Sequence, residues 1–129
     1  MTTNKVIWCD RGWMPYYYGF CPNERAWRRE MKRLGVPKPP PYPALNGGCT
    51  NLETKDGKHC SIITIGHEKR PAVQVVGLLA HEGMHVWRAI RESIGEREPS
   101  SEFEAYAIQA ITQDLITAYQ VSGRGKLCR

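Results

Sequence analysis

Two long stretches in the second half of the chain carry apolar residues at helical spacing. The first predicts a helix from about residue 71 to residue 94, with Pro71 suited to its first position and Gly95 suited to the position after its end. The second predicts a helix from about residue 101 to residue 121. We expect these two helices to pack against each other.

Shorter elements are predicted upstream of these helices. Asn23 is suited to cap a helix over residues 24–34. Residues 49–65 predict a β-hairpin, because the Asp56-Gly57 pair is a turn signal and the segment after it is rich in β-branched residues. The prolines of residues 37–43 exclude a helix there and predict a stiff, extended connection.

The first 21 residues give a weaker pattern. Residues 5–9 form a short apolar run that predicts a strand, whereas residues 10–21 are rich in Trp and Tyr and show no clear period. The resulting order is strand, helix, hairpin, helix, helix. This order predicts a single small α+β domain over residues 1–129, in which the two long C-terminal helices pack together.

Composition narrows the class of protein. The chain is 41% hydrophobic and 24% charged, which is ordinary for a globular protein and excludes a collagen-like or wholly disordered chain. No apolar run approaches the roughly 20 residues of a membrane helix, and the first ten residues contain no secretory apolar segment. We therefore expect a cytoplasmic protein without a membrane partner.

Charge and cysteine content leave two further options open. The net charge of +5 permits contact with nucleic acid but does not require it. The five cysteines form no CxxC pair, and free thiols are the expectation for a chain without a secretory signal. A structural zinc on Cys9, Cys21, Cys49 and Cys60 is an alternative, although these spacings match no common zinc motif.

The strongest chemical signal is the pentad His81-Glu82-Gly83-Met84-His85, which is an H-E-x-x-H pattern inside the first long helix. Positions i and i+4 share one helical face about 5–6 Å apart, so two imidazoles can bind one zinc ion. Glu82 would lie beside the metal, where it can take a proton from a zinc-bound water. The alternative is two histidines satisfied by hydrogen bonds on a packed helix, which explains neither the spacing nor Glu82.

A third zinc ligand should be a carboxylate, because no histidine follows His85. The downstream acidic candidates are Glu92, Glu96, Glu98, Glu102, Glu104 and Asp114. At about 100° per residue, Glu104 lies at the head of the apolar stripe of the second long helix, whereas Glu102 lies on its polar face. An ionised group on a dry face needs a partner, and a zinc ion would be one. The alternative for Glu104 is a capping box with Ser101.

The pentad and this glutamate together resemble the gluzincin zinc peptidases, in which a glutamate on the next helix completes the site. Eighteen residues separate His85 from Glu104, which gives H-E-x-x-H-x18-E. The Glu104-Ala105 pair is similar to the third-ligand helix of several small gluzincin-like families. The stretch from Leu78 to Gln120 resembles small HExxH proteins encoded by bacteriophages and prophages.

This resemblance implies a small zincin-like domain that hydrolyses peptide bonds with a zinc-activated water. Carried over residue by residue, it makes His81, His85 and Glu104 the ligands of one zinc ion and Glu82 the general base. The substrate would be a protein or peptide. A phage-encoded enzyme of this kind would act in the cytoplasm of a bacterial host.

Two other functions are consistent with the same residues. The first is a non-catalytic zinc-containing binding module of phage origin, because no motif assigns the residue that stabilises the oxyanion; His59, His67 and the run Tyr16–Tyr18 are the weaker candidates. The second is a DNA-directed protease or regulator, suggested by the positive charge. For an extended substrate, residues 61–65 are the strand we would choose for pairing with it.

Overall fold

A four-stranded mixed sheet lies at the centre of the computed structural model, which describes residues 2–128. The strands are β1 (Ile7–Trp8), β2 (Tyr17–Cys21), β3 (Gly47–Glu53) and β4 (His59–Ile65). Their order in the sheet is β1-β2-β4-β3, in which β2 and β4 are parallel and the other two pairs are antiparallel. Three helices cover this sheet, so the α+β prediction is confirmed.

The predicted hairpin is strands β3 and β4. Cys49 pairs with Ile63 in its antiparallel register, and the turn is closed by the amide of Thr54, which donates to the carbonyl of Lys58 at 2.8 Å. Gly57 has a φ of 79° in this turn, a conformation that glycine adopts without steric cost. The Asp-Gly signal therefore located the turn correctly.

Strand β2 has no counterpart among the predicted elements. Tyr18 and Phe20 pack on one face of the sheet and Cys21 on the other, so consecutive residues of this strand are buried. A central strand that is covered on both faces loses the alternation by which a strand is recognised. This explains why residues 10–21 showed no period.

The first helix, α1 (Glu24–Leu34), has the predicted ends. The side chain of Asn23 accepts a hydrogen bond from the amide of Ala26 at 2.8 Å, and Gly35 ends the helix with a φ of 65°. The proline segment 37–43 that follows has no helix or strand, as predicted.

The two long helices are α2 (Ala72–Ile94) and α3 (Ser101–Val121), and both match their predicted ranges. Gly95 ends α2 with a φ of 71°, and Ser100 caps α3 by accepting from the amide of Phe103 at 3.2 Å. No helix in residues 2–128 is long and apolar enough to cross a membrane.

The helices occupy opposite faces of the sheet. The apolar side chains of α2 and α3 pack with Phe20 and Ile63 on one face, whereas α1 packs through Trp27 against Ile62 on the other. The fold therefore has three layers, and the H-E-x-x-H helix lies in the two-helix layer.

Two glycines of α2 differ in their surroundings. A Cβ atom at Gly83 would lie 3.4 Å from Ile111 Cγ2 and 3.6 Å from Leu115 Cδ1, so side chains of α3 pack close to the backbone of α2 at this residue. A Cβ atom at Gly77 would meet nothing within 4 Å. A close neighbour is therefore found at Gly83 only.

Candidate metal centre

Helix α2 brings three of the predicted site residues together. One ligand atom from each of His81, Glu82 and His85 lies within 4.8 Å of the other two. The two imidazole rings are 5.1 Å apart between centroids and meet edge to face. This group is a candidate metal site, in which two imidazoles on one helical face can bind a single ion.

The packing of α2 decides which of these side chains are exposed. Leu79 and Val86 are fully buried against the sheet and α3, and Glu82 lies between them on this side of the helix with only 5% of its surface exposed. One residue corresponds to about 100° of helical rotation, so His81 and His85 face solvent. The imidazoles are accessible to an ion, whereas most of the Glu82 side chain is covered by its neighbours.

The start of strand β3 lies over the carboxylate of Glu82. A Cβ atom at Gly47 would lie 3.3 Å from Glu82 Oε1 and 3.4 Å from Glu82 Cγ, so only a residue without a side chain leaves this space free. Within residues 2–128 no hydrogen bond to this carboxylate is present, and His81 Nε2 lies 3.9 Å from Glu82 Oε1. The carboxylate oxygens are therefore left open to a bound water, as a general base requires.

Glu104 is held elsewhere. Its Oε2 accepts a hydrogen bond from Trp87 Nε1 at 2.8 Å and lies 3.4 Å from Arg91 Nη1. The structure does not bring it into the group formed by the two histidines and Glu82. Its role as third ligand therefore stays a prediction.

Glu104 lies in line with the buried residues of α3, as predicted, but its charged partner among the described residues is an arginine. Ile111 and Leu115, which follow it along the apolar stripe, are fully buried. The partner that its charge needs on this face is Arg91, together with the indole of Trp87. Long side chains of the same helix pair can supply a cation there without any metal.

The capping-box alternative for Glu104 is wrong. The N-cap is Ser100, whose hydroxyl accepts from the amide of Phe103, and the amide of Glu104 donates to the carbonyl of Ser100 at 3.0 Å. The carboxylate of Glu104 points to Trp87 instead of back to the helix start.

Asp114, another third-ligand candidate, also lies outside the group. Its Oδ2 accepts from the hydroxyl of Tyr18 at 2.6 Å, across the contact between α3 and strand β2. Burial raises the pKa of Asp114, and the hydrogen bond from Tyr18 only partly opposes this effect. The residue is a structural link between helix and sheet.

The cysteine alternative for a zinc site does not fit the fold. Cys9 and Cys49 pack on the face of α2 and α3, whereas Cys21 and Cys60 lie in the core beneath α1. The sheet separates the two pairs. Burial raises the pKa of all four thiols, that of Cys49 to about 11 with a further contribution from the charge of Glu82, and all five cysteines of the chain are free.

One oxyanion candidate is linked by hydrogen bonds to strand β3. Tyr16 Oη lies 2.8 Å from Ser61 Oγ, and Ser61 Oγ donates to Asn51 Oδ1 on strand β3 at 2.6 Å. His67 and Tyr18 have other partners, since His67 Nε2 lies 2.9 Å from the hydroxyl of Tyr42 and Tyr18 donates to Asp114. Tyr16 is therefore the candidate that a hydrogen-bonded chain links to the strand bordering Glu82.

The strand chosen for substrate pairing is corrected by the sheet topology. Residues 61–65 belong to β4, which is paired with β2 on one side and with β3 on the other. An interior strand has no free backbone groups for a peptide. Strand β3 pairs only with β4 within the described residues, so β3 is the edge strand beside Glu82.

Gly47 and the edge strand were missed by sequence reasoning. The signal was the Gly47-Gly48 pair just before the predicted hairpin of residues 49–65, since glycine within a strand often marks the close approach of another group.

Comparison of the chain with protein-family models, with curated proteins and with solved structures finds no match.

Proposed function

We propose that this protein is a zinc metallopeptidase in which His81 and His85 hold one zinc ion and Glu82 is the general base. The observation that supports it best is the position of Glu82. The Glu82 side chain is mostly buried, its oxygens have no hydrogen bond within the described residues, and it lies beside two exposed imidazoles at the start of an edge strand. Structural packing alone does not require this combination.

The residues would divide the chemistry between them. A zinc ion bound at the histidines would polarise the substrate carbonyl and lower the pKa of a water molecule. The carboxylate of Glu82 would accept a proton from that water and deliver it to the departing amine.

The substrate would be an extended segment of a protein or peptide. Strand β3 has no partner strand on one side within the described residues, and its first residue, Gly47, lies against Glu82. A chain bound along β3 would therefore pass the general base. The exposed histidines allow this approach from solvent.

Glu104 remains the proposed third ligand. To reach an ion at the histidines, its carboxylate would have to leave Trp87 Nε1 and Arg91. Its side chain is 31% exposed, so it is not enclosed by the core. Three protein ligands and one open position are usual for catalytic zinc.

These same contacts of Glu104 favour a second candidate, a metal-containing binding module without turnover. If Trp87 and Arg91 retain the carboxylate, the histidines bind metal with solvent as the remaining ligands. Such a site would hold an ion and present it to a partner protein.

Metal analysis of the purified protein beside His81→Ala tests the site itself. We expect about one zinc per chain in the wild type and loss of zinc in the variant. His59→Ala is the matched control, because His59 is also exposed but lies on strand β4. Equal zinc in all three proteins, or none in the wild type, would contradict the proposal.

Glu82→Gln separates the two candidate functions. A peptidase should retain zinc and lose hydrolysis of a mixture of quenched fluorescent peptides by at least a hundredfold. A binding module should retain zinc and show no hydrolysis in either protein. Hydrolysis that persists in Glu82→Gln would exclude Glu82 as the general base.

A further inference from the structure

Helix α1 leaves part of its face of the sheet uncovered. There a cavity of about 400 Å³ opens beside the C-terminal end of α1. Its apolar wall is formed by Trp8 of β1, Tyr17 of β2, Leu34 of α1 and Cys60 of β4. The volume is within the range of small-molecule sites and suits one aromatic base.

The rim of this cavity is strongly cationic. Four basic side chains, Arg11, Arg33, Lys55 and Lys58, line it beside a single carboxylate, Asp56. Arg33 forms an ion pair with Glu30, but Arg11, Lys55 and Lys58 have no carboxylate within 4 Å among the described residues. Unneutralised cations around an apolar wall are complementary to a ligand with an aromatic part and a phosphate.

Tyr17 provides the planar surface within this rim. The guanidinium of Arg11 lies 3.9 Å from the centroid of the Tyr17 ring, and the ammonium of Lys58 lies 5.8 Å from it. Bases of single-stranded nucleic acids stack on tyrosine rings and on arginine planes, while lysines contact the phosphates on either side. The Arg11–Tyr17 stack and the nearby Lys58 offer the same two kinds of contact, one for a base and one for a phosphate.

We propose that this cavity binds a nucleotide of a single-stranded nucleic acid, with the base against Tyr17 and Arg11 and the phosphates on Lys55 and Lys58. The sheet separates the cavity from His81 and His85, which lie on the opposite layer. Binding here is therefore independent of metal and of peptide hydrolysis. A duplex is not expected to bind equally, because its bases are stacked internally and cannot enter the cavity.

The test is the affinity of the full chain for a short fluorescein-labelled oligothymidylate, measured by fluorescence anisotropy over a series of salt concentrations. The double variant Lys55→Gln/Lys58→Gln should lower the slope of log affinity against log salt by about 1.4, since each single-strand phosphate contact contributes about 0.7. The matched control is Lys32→Gln/Lys126→Gln, which removes two exposed lysines that do not line the cavity. The control pair should leave the slope unchanged.

Tyr17→Ala tests the stacking contact. It should weaken binding about tenfold at constant salt, whereas Tyr17→Phe should retain the wild-type affinity. Circular dichroism of each variant verifies folding. If Tyr17→Ala does not fold, the salt dependence of Lys55→Gln/Lys58→Gln alone tests the proposal.

Three results would overturn the proposal. The first is that oligothymidylate does not bind. The second is that the control variant Lys32→Gln/Lys126→Gln loses as much salt slope as Lys55→Gln/Lys58→Gln. The third is that inorganic polyphosphate displaces oligothymidylate as well as unlabelled oligothymidylate does, while Tyr17→Ala keeps full affinity. Equal affinity for a duplex would overturn the assignment to single strands. None of these outcomes bears on the zinc site, so the two proposals fail separately.

Discussion

Gly47 lies against the carboxylate of Glu82, so that a Cβ atom there would come within 3.3 Å of Glu82 Oε1. This contact joins the edge strand to the residue proposed as general base. It also defines how far the carboxylate can move toward the sheet.

Gly47→Ala should therefore impair hydrolysis without removing zinc. The added methyl group would displace the carboxylate by a few tenths of an ångström, for which we expect a loss of about tenfold in kcat. The measurement is peptide hydrolysis and zinc content of the same preparation. Gly48→Ala is the matched control, since its Cβ would lie 2.9 Å from Thr64 Oγ1 instead and should lower stability without affecting turnover.

Gly77→Ala should stabilise the protein. Gly77 lies within helix α2, and a Cβ atom there would meet nothing within 4 Å, so the change should gain about 1 kcal/mol of helix propensity. Gly57→Ala is the contrast, because Gly57 also has free space but a φ of 79°. Chemical denaturation should show a rise in the free energy of unfolding for the first variant and a fall for the second. Equal shifts in both would contradict the argument.

Glu104→Ala should destabilise the fold by about 1–3 kcal/mol. The variant leaves Trp87 Nε1, in a fully buried side chain, without its acceptor and removes the partner of Arg91. Urea denaturation measures this cost. Zinc affinity of the more conservative Glu104→Gln then tests the ligand prediction, with Trp87→Phe as the control that removes the indole donor and keeps the carboxylate.

Asp114→Asn should stabilise the protein at neutral pH. The pKa of Asp114 is raised in the folded state, so its stability contribution is complete below the unfolded pKa and is lost as pH rises through the folded one. The amide can still accept the hydrogen bond from Tyr18. Thermal unfolding at neutral pH should give a higher Tm for the variant, and this difference should vanish at acidic pH.

Tyr18→Phe should instead destabilise the protein at neutral pH. It removes the hydroxyl that donates to Asp114, so the ionised carboxylate loses its partner and stability falls at neutral pH. A stabilising effect of Tyr18→Phe under these conditions would show that the hydrogen bond does not support the carboxylate.

The features that the sequence predicted are those with local causes. Asn23 and Gly35 bound helix α1, Gly95 ends α2 and Asp56-Gly57 forms the hairpin turn, and each acts through residues close to it in the chain. The spacing of His81 and His85 belongs to this class, since a helix alone brings them together.

The features that it did not predict depend on distant residues. Strand β2 is defined by the layers that cover both of its faces, and the partner of Glu104 is an arginine on the neighbouring helix. The proximity of Gly47 to Glu82 likewise depends on the position of β3 at the sheet edge. Such contacts become visible only when the strand order is known.

The strand order also has a consequence for how the chain assembles during synthesis. Strand β4 is the last strand in the chain, yet it lies between β2 and β3 and pairs Tyr17 with Cys60. Until it is translated, β2 lacks its parallel partner, and the sheet surface on which α2 packs is incomplete. We expect the β3–β4 hairpin to form first and then dock onto β2, because its contacts close the shorter loop. Helix α2 would settle only on this completed surface, so the contact between Gly47 and Glu82 would be a late product of folding.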